Sequence, residues 1–426
     1  VQEFKNICRR HPDKLILFVI LAFSLLGDSM LYAVLPAQAG IIGLSVGQVG
    51  ILLSINRIIR FGSNFWAASI FRRFGTEIPF AGAVVAGTAT TVLYGFHQGF
   101  LYLLAMRLIW GISYSLMRLK ILVDIFSEDE SDSRSSQESS KPEENKSKEG
   151  RLSGLFQSVT RTGGLAGMIL GGFLAGGFNF TLAAYLLGAV SVVGAALLLY
   201  FYFRFYGGEV NDEEKGEVVV PEKSGLTSLL NLIRDPSFAA LLAAGLAVHF
   251  TARGVINSSY GFYLNQLYGD EIGILVWTVS IAAVSGMVLS SRYLFDIVFS
   301  PFMGYLSDIL DSRALLKIAL IAQGILLFIF ALVDIPLVVL LLPGAIFLLT
   351  SLLVVLLYVN TGKFTGYSLR SRMAGLTTAG DVGAALGPLA LNLVGLGLPV
   401  QRLYILCALF LLGAAALYHR DSRPDG

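Results

Sequence analysis

Apolar residues along this chain come in blocks of about 20, the length at which a helix rising 1.5 Å per residue crosses hydrocarbon. Twelve blocks can be read. The first six lie at about 15–37, 46–70, 77–97, 100–123, 152–175 and 180–204. The second six lie at about 237–267, 272–299, 314–333, 336–359, 369–395 and 400–418. Inside lipid only helices and closed barrels satisfy every backbone group, and runs of this length predict helices. The first block starts near Leu15 with no small-residue cleavage site after it, so it reads as a helix that stays rather than a removed signal. Pro36 and Asn179 are expected to stop helices at short turns, and Pro236 stands where a helix would begin, which its fixed φ favours.

Two polar stretches interrupt the pattern. Residues 127–150 are mostly Ser, Glu and Lys and predict a solvated loop, while residues 206–235 are charged and divide the chain. The expected organisation is therefore an N-terminal six-helix half over 1–205 that carries the loop 127–150. A linker over 206–235 and a C-terminal six-helix half over 236–426 complete it. Charge placement orients this arrangement. Of 31 Lys and Arg, 24 fall in one set of loops and tails, one (Arg402) in the opposite set, and six within spans. Positive loops stay in the cytoplasm, so both termini and both polar stretches are expected there. An even number of spans requires the same.

Composition narrows the class further. Hydrophobic residues make up 55% and charged residues 14%, against roughly 25% charged in an ordinary soluble domain. That excludes a soluble enzyme, a disordered chain and a nucleic-acid binder. Cys8 and Cys407 lie too far apart in sequence to suggest a disulfide framework, and no metal site is expected. No phosphate loop, His-Glu-x-x-His or nucleophile elbow occurs, so neither ATP use nor hydrolysis is indicated, and no cofactor is expected.

The two halves echo one another. Span five opens Arg151-Leu-Ser-Gly154-Leu155 and span eleven opens Arg372-Met-Ala-Gly375-Leu376. After span two stand Arg72, Arg73 and Gly75; after span eight stand Gly304, Asp308 and Arg313. Parallel six-helix repeats are an architecture of secondary transporters. With these motifs, and with Arg107 followed by Gly111 in span four, the chain resembles the major facilitator superfamily over nearly its whole length. The resemblance implies an all-α membrane protein of twelve transmembrane helices in two pseudo-symmetric halves that rock about a central cavity. It also implies that Arg72, Arg73, Gly75, Gly304, Asp308 and Arg313 gate the conformational change. The first-half loop departs from the family pattern, with Phe71 near the place of its aspartate. Gly163, Gly164, Gly167, Gly171 and Gly172 in span five, like Gly383 and Gly387 in span eleven, predict close helix packing.

Nine ionisable residues other than histidine fall within spans: Arg57, Arg60, Arg107, Arg161, Arg253, Arg292, Asp28, Asp296 and Asp381. A central charge costs roughly 2.5–3.5 kcal/mol on insertion scales, so these groups must pair, face a water-filled cavity or snorkel. Even with one arginine on each aspartate, positive charge is left over. Arg57, Arg60 and Asn64 recur at i, i+3 and i+7 on one helix face, where two guanidinium forks would bind a carboxylate or phosphate, unless an aspartate neutralises them structurally. Arg161 has no same-helix acid and joins them as a substrate candidate, as does Arg253 from the other half. Asp28 is the candidate proton carrier, with Arg107 as its partner because in the family these helices line one cavity; a static pair or a cation anchor are the competing readings. Asp381 is the second choice for coupling. His249, four residues before Arg253, is a weaker one. Arg292 and Asp296, spaced i, i+4, are expected to satisfy each other. Tyr32, Tyr114 and Tyr260 lie nearest the charges in their spans and are candidate cavity residues, although belts and core packing explain most membrane aromatics.

These readings predict a monomeric secondary transporter that moves a small organic anion by alternating access, coupled to protons. Its setting is the lipid bilayer of a plasma or inner membrane, since no organelle address is evident. It would be no enzyme and bind no nucleic acid. Proton-driven efflux of lipophilic cations or neutral compounds is the nearest alternative. A lipid scramblase or a non-transporting receptor on the same fold is the next.

Overall fold

The computed structural model describes residues 11–126, 142–205, 233–274, 277–364 and 368–421. Twelve long helices account for nearly all of them. These are α1 (Pro12–Ile42), α2 (Val46–Phe74), α3 (Glu77–Leu93), α4 (Phe100–Phe126), α5 (Pro142–Gly177) and α6 (Phe180–Phe205). Then come α7 (Pro236–Tyr268), α8 (Ile281–Ile309), α9 (Ser312–Leu332), α10 (Pro336–Lys363), α11 (Leu369–Leu389) and α12 (Val400–Asp421). Among the described residues nine of these are long and apolar enough to cross a membrane. The other three are α2, α5 and α11, whose middles carry Arg57 and Arg60, Arg161, and Asp381. Polar mid-sections of this kind exclude a helix from all-round lipid contact.

Local chemistry sets the helix ends. The Asp235 carboxylate accepts the backbone N–H groups of Ser237 (3.1 Å) and Phe238 (3.2 Å), and Pro236 takes the first helical position of α7. Asp311 caps α9 in the same way, through the Arg313 N–H at 3.0 Å. Gly75 (φ +73°) and Gly269 (φ +76°) adopt the left-handed conformation that lets the chain leave α2 and α7.

Several boundaries differ from those the hydropathy pattern predicts. Pro36 does not end α1; the helix continues to Ile42 past non-helical dihedrals at Gln38, whose Nε2 donates to the Ala175 carbonyl at 3.1 Å. The predicted eighth span opens too early. Strands β1 (Glu271–Ile274) and β2 (Trp277–Ser280) pair antiparallel with Ile272 opposite Val279, and α8 starts only at Ile281. The eleventh span breaks after Leu389, next to Pro388, and resumes as a five-residue helix, Leu391–Gly395. Part of the polar loop is helical, because α5 begins at Pro142; the rest of it, 127–141, and 206–232 of the linker lie outside the described residues.

Packing gathers the chain into two compact units that cut across α1, α2 and α5. The first comprises residues 1–30, 59–171 and 178–220. Its apolar core at one end is built from Leu17, Phe18, Phe80, Val84, Met117 and Ile121, all nearly inaccessible. Lys120 lies beside that core, 2.8 Å from Glu77 and 2.7 Å from Asp124, and the Tyr202 hydroxyl donates to Glu77. Gly163 and Gly167 place α5 directly on the α1 backbone at Ala22 and Leu26, where a Cβ would overlap it.

The second unit comprises residues 31–58, 172–177 and 221–426. Within it the later part of α1, the earlier part of α2 and the end of α5 pack on helices of the second half. Gly50 abuts the Pro388 carbonyl, Gly261 abuts Ala37, and Gly172 abuts Ala282. At the α7–α11 crossing Gly254 and Gly387 meet backbone to backbone. Membrane helices have no hydrophobic drive to associate, so such close approach supplies the attraction. Gly387→Val is therefore expected to cost about 1–3 kcal/mol by overpacking, read as a lower melting temperature.

Candidate functional site

In the first unit the intramembrane charges meet an acid, an aromatic ring and an amide. Asp28 on α1 and Arg107 on α4 form a direct ion pair between carboxylate Oδ1 and guanidinium Nη1. Arg107 is fully buried and Asp28 is 8% exposed. The Trp110 indole sits one turn along α4, donating to the Ser24 carbonyl at 3.2 Å, with the Arg107 guanidinium 5.9 Å from its ring centre. Trp110 and Tyr114 stack at 5.2 Å, and Arg60 lies 4.8 Å from the centre of the Tyr114 ring. A guanidinium against a tyrosine face gains electrostatically without losing its charge. Arg161 on α5 donates to the Gln157 side chain at 3.3 Å, again a neutral acceptor. The Asn64 side chain lies outside the described residues.

The second unit holds Arg57, half-buried on α2. Its Nη1 donates to the Ala384 carbonyl at 2.6 Å and to the Arg253 carbonyl at 3.3 Å, and the guanidinium stands 5.4 Å from the centre of the Tyr32 ring. The Ala384 acceptor has a clear origin. Pro388 stands inside α11 and has no N–H, so the carbonyl four residues before it, that of Ala384, lacks its helical donor. Arg57 supplies that donor from another helix. The Arg253 carbonyl belongs to a π-helical stretch, His249–Ile256, within α7. Such widened turns often mark functional positions. Tyr32 is buried and its hydroxyl donates to the Leu53 carbonyl at 3.1 Å.

Arg253 itself turns to Asp296 on α8, Nη2 to Oδ2 at 3.8 Å. The other Asp296 oxygen accepts from the Ser351 hydroxyl of α10 at 2.6 Å. The expected local pair between Arg292 and Asp296 is thus not formed: the carboxylate is turned toward α7 and α10. Asp381 and His249 do not meet either. It is Gly380 that lies against the imidazole, whose Nδ1 donates to the Gly245 carbonyl at 2.9 Å, while Asp381, the next residue, is exposed and has no hydrogen bond or ion pair among the described residues. Tyr260 is fully buried, packs on Phe330 and donates to the Val339 carbonyl at 3.2 Å.

Of the residues expected to gate, Arg72 and Arg73 are exposed on the last turn of α2, with Arg72 donating to Ser69 at 3.0 Å. Gly75 follows as the left-handed break, and Arg313 opens α9, exposed. Gly304 and Asp308 stand on the last turns of α8, and the Asp308 side chain lies outside the described residues. Sequence reasoning gave no role to Arg372. Its Nη1 donates to the carbonyls of Thr361 (2.9 Å) and Gly362 (3.1 Å), satisfying the carbonyl end of α10.

Comparison with known proteins agrees with this architecture. Among solved structures, a bacterial homologue of the human lysosomal transporter Spinster, inward-facing and unoccupied, superposes with a TM-score of 0.72 at 15% identity, covering 97% of each chain. The nucleoside transporter NupG superposes at 0.69 with 14% identity over 96% of this chain and 99% of its own. A POT family transporter in complex with a thioalcohol-conjugated peptide superposes at 0.66 with 13% identity over 96% of both chains. Likeness at such identity speaks for the fold. Comparison with curated proteins by sequence finds no match. The sequence profile of the Major Facilitator Superfamily matches residues 17–296. With twelve helices in the arrangement of such transporters and that profile over most of its length, the chain belongs to the Major Facilitator Superfamily.

Proposed function

We propose that the protein is a secondary active transporter that carries a small organic anion by alternating access and couples its movement to protons. The observation that carries this reading is the environment of Arg57. Its guanidinium is fixed by two backbone carbonyls and faces a tyrosine ring, all neutral partners. Carbonyls orient the fork but leave its positive charge uncancelled, and its Nε and Nη2 make no hydrogen bond among the described residues. A preorganised, uncancelled guanidinium is suited to a carboxylate or phosphate. Arg60, which faces the Tyr114 ring, and Arg161, which donates to the Gln157 side chain, are the further substrate candidates of the first unit. Arg253, stretched to 3.8 Å from Asp296, is a further contact that an anion would compete for.

Asp28 and Arg107 form the coupling element of the proposal. A buried carboxylate that loses its guanidinium partner has to be neutralised, and a proton does this. Asp381, exposed in mid-helix, is the second coupling candidate. Arg72, Arg73, Gly75, Gly304, Asp308 and Arg313 would act as gating residues at the ends of α2 and α8 and the start of α9. Both termini would face the cytoplasm, from a plasma or inner membrane.

Ligand-dependent melting of the purified protein tests the substrate class. Panels of organic anions and lipophilic cations are compared near pH 6 and pH 8. A ligand at about 100 times its dissociation constant stabilises by roughly 2.7 kcal/mol, well within detection. Stabilisation by anions, lost in an Arg57→Gln/Arg60→Gln double variant, is expected. Stabilisation by cations alone, lost in Asp28→Asn, would replace the anion carrier with a cation exporter.

A further inference from the structure

Six arginines lie within the spans, and four of them hold a polar partner among the described residues: Arg107 has Asp28, Arg253 has Asp296, Arg161 has Gln157 and Arg57 has two carbonyls, while Arg60 lies against the Tyr114 face. Arg292, on α8, is different. It is 6% exposed, and among the described residues it makes neither a hydrogen bond nor an ion pair. Its guanidinium stands 4.4 Å from the centre of the Tyr293 ring. An acid lies one turn away on the same helix, yet Asp296 directs Oδ1 to Ser351 and Oδ2 to Arg253.

A guanidinium does not shed its proton, so this charge cannot be relieved by neutralisation. Burying an ion is costly, and one tyrosine face offsets only part of that cost. A buried cation kept without a fixed counter-charge is a docking point for an anion that comes and goes. We propose that Arg292 is a ligand-binding residue: its planar fork takes a carboxylate or phosphate group inside the second unit, with Ser351 and Arg253 holding Asp296 away from it. The inference rests on the anion-carrier reading and adds to it a contact point. The oxyanion has two possible sources of the same chemistry, a soluble substrate or a phospholipid headgroup.

The test is made on the full chain purified in lipid-free detergent, with Arg292→Met and Arg292→Lys. The probes are benzoate, succinate and inorganic phosphate in one arm and phosphatidylglycerol in mixed micelles in the other. Methionine is close to arginine in length and carries no charge. Arg292→Met is therefore expected to melt higher than wild type in the absence of ligand, while affinity for the oxyanion falls about 10–100-fold. Arg292→Lys keeps the charge but not the fork and should lose affinity by about tenfold. The arm in which the loss appears identifies the source.

A lower melting temperature for ligand-free Arg292→Met would make the residue structural and overturn the proposal. Unchanged affinity in Arg292→Met would overturn it as well. If Arg57→Gln loses anion affinity while Arg292→Met keeps it, the carrier stands and this inference falls. If no oxyanion in either arm stabilises the wild type, both fall.

Discussion

Asp28→Asn is expected to destabilise the protein by about 3–5 kcal/mol and to abolish gradient-driven transport. The stability loss follows from Arg107, which is fully buried and would be left without the carboxylate that faces it. Destabilisation alone does not separate a static clamp from a coupling element, since both need the pair. A double variant does. Asp28→Leu with Arg107→Met removes both charges and replaces them with apolar groups, which for a buried pair is neutral or stabilising. The double variant should melt near or above wild type and still fail to respond to a proton gradient. Gradient-driven uptake that survives in a well-folded double variant would reduce Asp28 and Arg107 to a structural pair.

Arg57→Met carries the second large effect. Anion affinity is expected to fall about 10–100-fold, the worth of a charged hydrogen bond of roughly 1.5–3 kcal/mol. Stability should fall by about 1–3 kcal/mol for a different reason, because the Ala384 carbonyl loses the donor that Pro388 cannot provide. The two losses separate. Adding Pro388→Ala returns a backbone N–H to α11, so melting temperature should recover while anion affinity does not. If both recover together, Arg57 acts only as a strut for α11. If affinity never fell, the anion site is elsewhere.

Much of the architecture was legible in the sequence because the bilayer dictates block length. Among the described residues each of the twelve long helices overlaps one of the twelve apolar blocks, although several ends differ, and the superfamily resemblance is borne out by the profile match over residues 17–296. The misplaced start of α8 has a plain cause. Residues 271–280 are apolar enough to extend the following block, and a short apolar run reads alike as strand or helix. The continuation of α1 past Pro36 was not legible either, since a proline can end a helix or bend it depending on its neighbours.

Within the candidate site, the Asp28–Arg107 pair was readable once the resemblance placed their helices together. The partner of Asp296 was not. Spacing of i, i+4 favours Arg292, but the structure turns the carboxylate to Ser351 and Arg253, on two other helices. Pro388 signalled that the Ala384 carbonyl would need an outside donor; nothing in the sequence said that Arg57 would provide it. Arg57 and Arg60 share a helix face by spacing, yet one turns to carbonyls and the other to Tyr114, because long side chains follow their neighbours as much as their register.

Uptake of an organic anion into proteoliposomes under an imposed pH gradient tests the central claim most directly. The substrate would be the anion that most raises the melting temperature. The account predicts a rate that changes with the size and sign of the gradient and disappears in Arg57→Met. A flux of the same anion that is indifferent to the gradient, or that persists in Arg57→Met, would contradict it.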